Sequence, residues 1–124
     1  MLLNWKLYKM ELDNDTNKQI EELQAIDSTL QNFLAQKQTA EIEVNELMNA
    51  IEEINKTDDD AYKIVAGIMI KADKKILLAD LEEKKKMLDM KIQAVEKQED
   101  LLGAKATELK KEIDDAVSKK SEAD

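Results

Sequence analysis

The sequence has no cysteine, no histidine, no proline and no arginine, only two glycines, and aromatic side chains at 3% of its 124 residues. Each absence closes a line of function. Without cysteine there is no disulfide framework and no thiolate metal site. Without histidine the commonest general base and the commonest transition-metal ligand are both missing. A phosphate-binding loop needs several glycines in series, and the two present do not supply one. The expectation is a protein that is not an enzyme and uses no cofactor and no metal. All nineteen cations are lysine, against 28 carboxylates, for a net charge of −9. Phosphate backbones are met by basic patches in which arginine makes two-pronged contacts, so nucleic acid is not an expected partner. No apolar run approaches the ~20 residues of a membrane helix, so no membrane is expected either. The stretch from Met1 to Met10 is apolar but broken by Lys6 and Lys9, and no small-residue cleavage site follows. A secretory leader is not expected, and the expected location is the cytoplasm.

What remains is dominated by alanine, glutamate, lysine and leucine, with 43% hydrophobic and 38% charged residues. That mixture reads as long helix or coiled coil once the apolar spacing is right. From Thr16 to about Lys56 the spacing alternates strictly between three and four: Leu23, Ile26, Leu30, Phe33, Lys37, Ala40, Val44, Leu47, Ile51, Ile54. Only Lys37 breaks it. A 3.5-residue repeat stays on one face only if the helix supercoils with a partner. Asn14 or Asp15 is the expected N-cap of this first helix. A second run covers 74–120, with Leu78, Leu81, Lys85, Leu88, Ile92, Val95, Glu99, Leu102, Ala106, Leu109 and Ile113 along its seam. Asp73 stands where its cap belongs. Facing positions in an antiparallel pair share one constant sum of residue numbers. Ile54 with Leu78, Ile51 with Leu81, Val44 with Leu88, Leu30 with Leu102 and Leu23 with Leu109 all obey it. The two runs are therefore read as one antiparallel helical hairpin.

The period changes at the bend. After the acidic Asp58-Asp59-Asp60, residues 61–72 concentrate β-branched side chains on both sides of Gly67, and no helical stripe passes through them. The spacing predicts two short strands joined by a tight turn at Ala66-Gly67, with glycine supplying a positive φ. Tyr62, Ile64, Ile68 and Ile70 are expected on one face, Val65 and Met69 on the other. An isolated two-stranded hairpin is marginal in water, and open edges with apolar flanks invite further strands. A chain without a globular body can cover them only with copies or relatives of itself, so oligomerisation through these six residues is expected. The fold class is mainly α: a long antiparallel two-helix coiled-coil hairpin with a short β-hairpin at the bend. The chain divides into a segment 1–15, helix 16–56, β-hairpin 61–72 and helix 74–120, all in one domain. The three aspartates lack the glycine and trailing glutamate of a calcium loop and are read as a solvated helix end.

The run from Asp59 through Ala61-Tyr62-Lys63-Ile64-Val65-Ala66-Gly67-Ile68-Met69-Ile70-Lys71 to Lys74 resembles the β subunit of archaeal-type prefoldin. The resemblance continues through Leu81-Glu82-Glu83-Lys84-Lys85 and Val95-Glu96-Lys97-Gln98-Glu99 and covers roughly residues 15–120; residues 1–9 have no counterpart in it. It implies an ATP-independent chaperone that holds unfolded client proteins near the ends of its helical hairpins and passes them to a group II chaperonin. It also implies a hexamer of two α-type and four β-type subunits, joined by their strands. The α type carries two β-hairpins and the β type one, and this chain has room for one. The seam residues run out beyond Leu23 and Leu109, where Gln19 would face Ile113 and Thr16 would face Ala116. Leu12, Ile20, Ile113 and Val117, with Leu3, Trp5, Leu7 and Tyr8, are therefore expected to be loosely packed apolar residues at a client-binding tip. The alternative reading is a structural coiled-coil adaptor or spacer for one folded partner. The β-hairpin separates the two, because an adaptor has no need of an unpaired strand pair.

Overall fold

The computed structural model describes residues 14–123. Helix α1 (Asn14–Lys56) is followed by strands β1 (Ala61–Val65) and β2 (Ile68–Ala72) and by helix α2 (Lys74–Ala123). The described residues fall into two compact units, 14–34 with 97–123, and 35–96. No helix among the described residues is long and apolar enough to cross a membrane.

Both helices extend beyond the apolar repeats that define them. Asn14 and Asp15 lie inside the first described turn of α1 rather than ahead of it, and Asp15 there complements the positive end of the helix dipole. At the other end α2 continues to Ala123, through lysine, glutamate and alanine, which all propagate helix well. The start of α2 follows its capping residue. Asp73 Oδ1 accepts hydrogen bonds from the backbone N–H groups of Lys75 at 2.8 Å and Ile76 at 3.2 Å. Such a cap is worth about 1 kcal/mol.

The strands pair antiparallel, Ala61 with Ala72, Tyr62 with Lys71, Lys63 with Ile70, Ile64 with Met69 and Val65 with Ile68. The turn has two residues, and both adopt positive φ: Ala66 at 52° and Gly67 at 79°. Left-handed backbone at both turn positions matches the twist of the flanking strands. This turn corrects the expected faces. A two-residue loop pairs even-numbered with odd-numbered residues, and directly paired residues share a face. Tyr62 and Ile64 therefore lie with Met69 and Lys71, while Val65 lies with Ile68, Ile70 and Lys63.

The core of the 14–34 and 97–123 unit is the cluster Leu23, Ile26, Ala106, Leu109, Ile113 and Val117, with Ile20, Leu30 and Leu102 packed against it. In the 35–96 unit only Ala40, Ala61 and Val95 are buried among the hydrophobic residues. The larger seam residues Ile51, Ile54, Leu78, Leu81 and Leu88 remain partly exposed. A seam of two helices has no second layer to cover it, so large side chains keep a solvent-facing side.

Candidate functional site

The strand pair is the most exposed apolar surface of the 35–96 unit. On one face Ile64 is 72% and Met69 68% exposed; on the other, Ile68 is 63% exposed. Tyr62, Val65 and Ile70 are also exposed. Among the described residues the sheet has two strands, so each strand has one edge without a neighbour there. β-Branched side chains hold the strands extended, and the lysines in each strand sit within the apolar run rather than replacing it. A surface of this kind is a template for further strands.

Several contacts order the bend, where the loop after α1 meets the start of α2 and β2. Thr57 N donates to Glu53 O at 3.1 Å, and Thr57 Oγ1 accepts from Asp59 N at 3.1 Å. Lys74 Nζ, from the first turn of α2, donates to the Thr57 carbonyl oxygen. An ammonium suits this place, because the last carbonyls of a helix lack intrahelical partners and carry the negative end of its dipole. Asp60 faces Lys71 at 3.4 Å. The Lys74 contact was not legible in sequence, since nothing in local spacing links residues 17 apart.

At the helix ends the structure departs from expectation. Ile113 is 0% exposed and Val117 2%, whereas a weakening seam would leave both open. Thr16 is buried as well, and Ile20 is partly so. The apolar stripe widens here rather than thinning. Ile20 and Val117 occupy facing positions beside the seam and add to Leu23, Leu109 and Ile113 on it. Gln19 does not dilute the packing, because its side-chain amide donates to Glu112 Oε2 at the rim. One heptad earlier on the same side of α2, Lys105 meets Glu22 at 2.6 Å. That hydrogen bond and the Glu22 charge hold the Lys105 ammonium above the usual lysine range, although the lysine is exposed. Leu3, Trp5, Leu7, Tyr8 and Leu12 lie outside the described residues.

Two helices with a single strand pair between them is a distinctive order of elements, and comparison with known proteins agrees with it. The prefoldin subunit family matches residues 17–120. The chain belongs to the prefoldin family. Prefoldin subunit beta of Methanothrix thermoacetophila is 31% identical over 105 residues, covering 83% of this chain and 88% of the relative. Prefoldin subunit beta of Thermococcus onnurineus is 35% identical over 98 residues, covering 77% of this chain and 84% of the relative. The crystal structure of the prefoldin beta subunit from Thermococcus strain KS-1 superposes with a TM-score of 0.80 at 29% identity. It covers 86% of this chain and 96% of that one. Prefoldin is a chaperone, and this chain is a prefoldin subunit.

Proposed function

We propose that the chain is a β-type subunit of an α2β4 prefoldin hexamer that holds unfolded client proteins without ATP and hands them to a group II chaperonin in the cytoplasm. The observation that carries this reading is the exposed strand pair, apolar on both faces and open at both edges. Tyr62, Ile64, Val65, Ile68, Met69 and Ile70 are its oligomerisation residues, meeting the strands of α-type subunits and of other copies. An adaptor for one folded partner leaves that surface without a purpose.

The client grip is assigned to the helix ends, at Leu12, Ile20, Ile113 and Val117, with Leu3, Trp5, Leu7 and Tyr8. Helix ends are the parts of a fold that open at least cost. Ile20 is reachable as it stands. Ile113 and Val117 become available when the end opens, exchanging one set of apolar neighbours for the side chains of a client. Enclosed in this way, the grip surface is hidden until an unfolded chain competes for it.

Removing residues 1–19 and 110–124 tests the assignment. More than four heptads of seam and the whole strand pair remain, so the oligomer should keep its subunit stoichiometry by native mass. Protection of a chemically unfolded client against aggregation, followed by light scattering without nucleotide, should fall by at least about tenfold per mole of oligomer. An oligomer that still protects fully would remove the helix ends from the mechanism.

A further inference from the structure

Helix α2 contains one glycine, Gly103, and neither usual reason for a glycine applies to it. Its backbone is right-handed helix, whereas Gly67 takes the positive φ of its turn. A methyl group added at Gly103 meets no atom within 4 Å outside its own turn, so no close approach demands the gap. Inside a helix glycine is disfavoured against alanine by about fivefold, through the backbone freedom it gives up. The closed helix gains nothing in exchange. Such a residue favours a bent form of the helix over the straight one.

Two further features meet at this point. The Thr107 hydroxyl donates to the Gly103 carbonyl oxygen at 3.0 Å, and a bond of this kind to the preceding turn bends and weakens a helix. Thr29 and Thr39 donate in the same way, but to the carbonyls of Ala25 and Ala35. The packing also changes here. Outward of Gly103, Ala106, Leu109, Ile113 and Val117 are all buried. Just inward, Leu102 is partly exposed and Leu101 is 73% exposed. Leu34 stands opposite Gly103, on the flank where Ile20 faces Val117, and is 45% exposed. The polar contacts that close the end, Gln19 with Glu112 and Glu22 with Lys105, are exposed and hold it only weakly.

We propose that Gly103 is a hinge, at which the outer part of α2 bends away from α1 as one piece and uncovers Ile113, Val117 and the facing Leu23. Residues 97–102 keep their place on α1 as this happens. The bend falls where the buried cluster begins, so the cluster opens along one boundary instead of fraying residue by residue. Nothing has to be displaced at the bend, because the flank opposite Leu34 carries no side chain there. The proposal rests on the holdase reading only for the use of the opening, which is a property of the free chain.

The sequence has no cysteine, so a single one introduced into the full chain reports its own exposure. Val117→Cys and Leu23→Cys place it on the two helices of the buried cluster, and Val95→Cys places it in the 35–96 unit. The two cluster reporters are read independently, so one that folds poorly leaves the other. Labelling by an aromatic disulfide reagent, where the rate follows the open fraction, should slow by about fivefold at both cluster sites in Gly103→Ala. At Val95→Cys the rate should stay the same. Moving the glycine separates a hinge from helix strength at large. Gly103→Ala with Ala104→Gly should restore the fast rate, and Gly103→Ala with Ala94→Gly should not. Unchanged labelling of the cluster sites in Gly103→Ala overturns the proposal, as does equal slowing at Val95→Cys or rescue by Ala94→Gly. Light scattering with an unfolded client, run on the cysteine-free wild type and Gly103→Ala, reads the holding separately. Slowed labelling with unchanged protection keeps the hinge and removes the grip at the helix ends. Protection by both chains, with no response of labelling to Gly103→Ala, keeps the holdase and overturns the hinge.

Discussion

Ile113 and Leu101 lie on the same helix and answer differently to the same substitution. Ile113 has no exposed surface and belongs to the apolar cluster of its unit, while Leu101 is 73% exposed. Ile113→Ala should lower stability by about 2–5 kcal/mol, and Leu101→Ala should change it by no more than about 0.5 kcal/mol, both measured by urea unfolding. Equal effects would mean that the helix end is not packed as described. The turn offers a second residue-scale test. Ala66 holds a left-handed backbone that alanine disfavours by about 1–2 kcal/mol. Ala66→Gly should therefore raise the thermal midpoint slightly. Gly67→Ala should lower it, through backbone strain alone, since nothing lies within 4 Å of the new methyl group. At this scale the Asp73 cap could be read from sequence, because capping depends on neighbours in the chain. The Ala66 backbone could not, because it follows from closing two paired strands with only two residues.

Both helices and both strands were readable as elements, since each rests on a short-range period: three-and-four spacing for the helices, β-branched alternation for the strands. The errors came where one element meets another. The expected faces of the β-hairpin failed because loop length, not composition, decides which residues pair. The expected looseness at the helix ends failed because it counted only the seam, and missed that Ile20 and Val117 face one another beside it. The corrected faces sharpen the assembly test. Ile64 and Ile68 now lie on opposite faces of the strand pair, both exposed. Ile64→Asp with Ile68→Asp charges both faces at once while touching no buried side chain. The far-ultraviolet helical signal should persist while the oligomer is lost at micromolar concentration. Normal assembly of this variant would move the interface elsewhere.

At the scale of the molecule, the proposed function gives assembly to the strand pair and client holding to the helix ends. Among the described residues nothing covers the strand edges, and the chain belongs to the prefoldin family, a chaperone whose subunits work together. Under the proposed function, the enclosed apolar residues of the helix ends are what the assembled particle offers an unfolded chain. A net charge of −9 disfavours non-specific association between copies. Assembly and holding are linked in this account, because several grips acting on one client exceed the affinity of any one alone. The most direct test is light scattering from a chemically unfolded client, without nucleotide, in two parallel samples of equal subunit concentration. One contains the wild-type chain mixed with an α-type prefoldin subunit, its mass verified as a hexamer; the other contains the Ile64→Asp, Ile68→Asp chain in the same mixture. The account predicts strong suppression of aggregation by the first and little by the second. Equal suppression by both, with the second confirmed as unassembled, would contradict it.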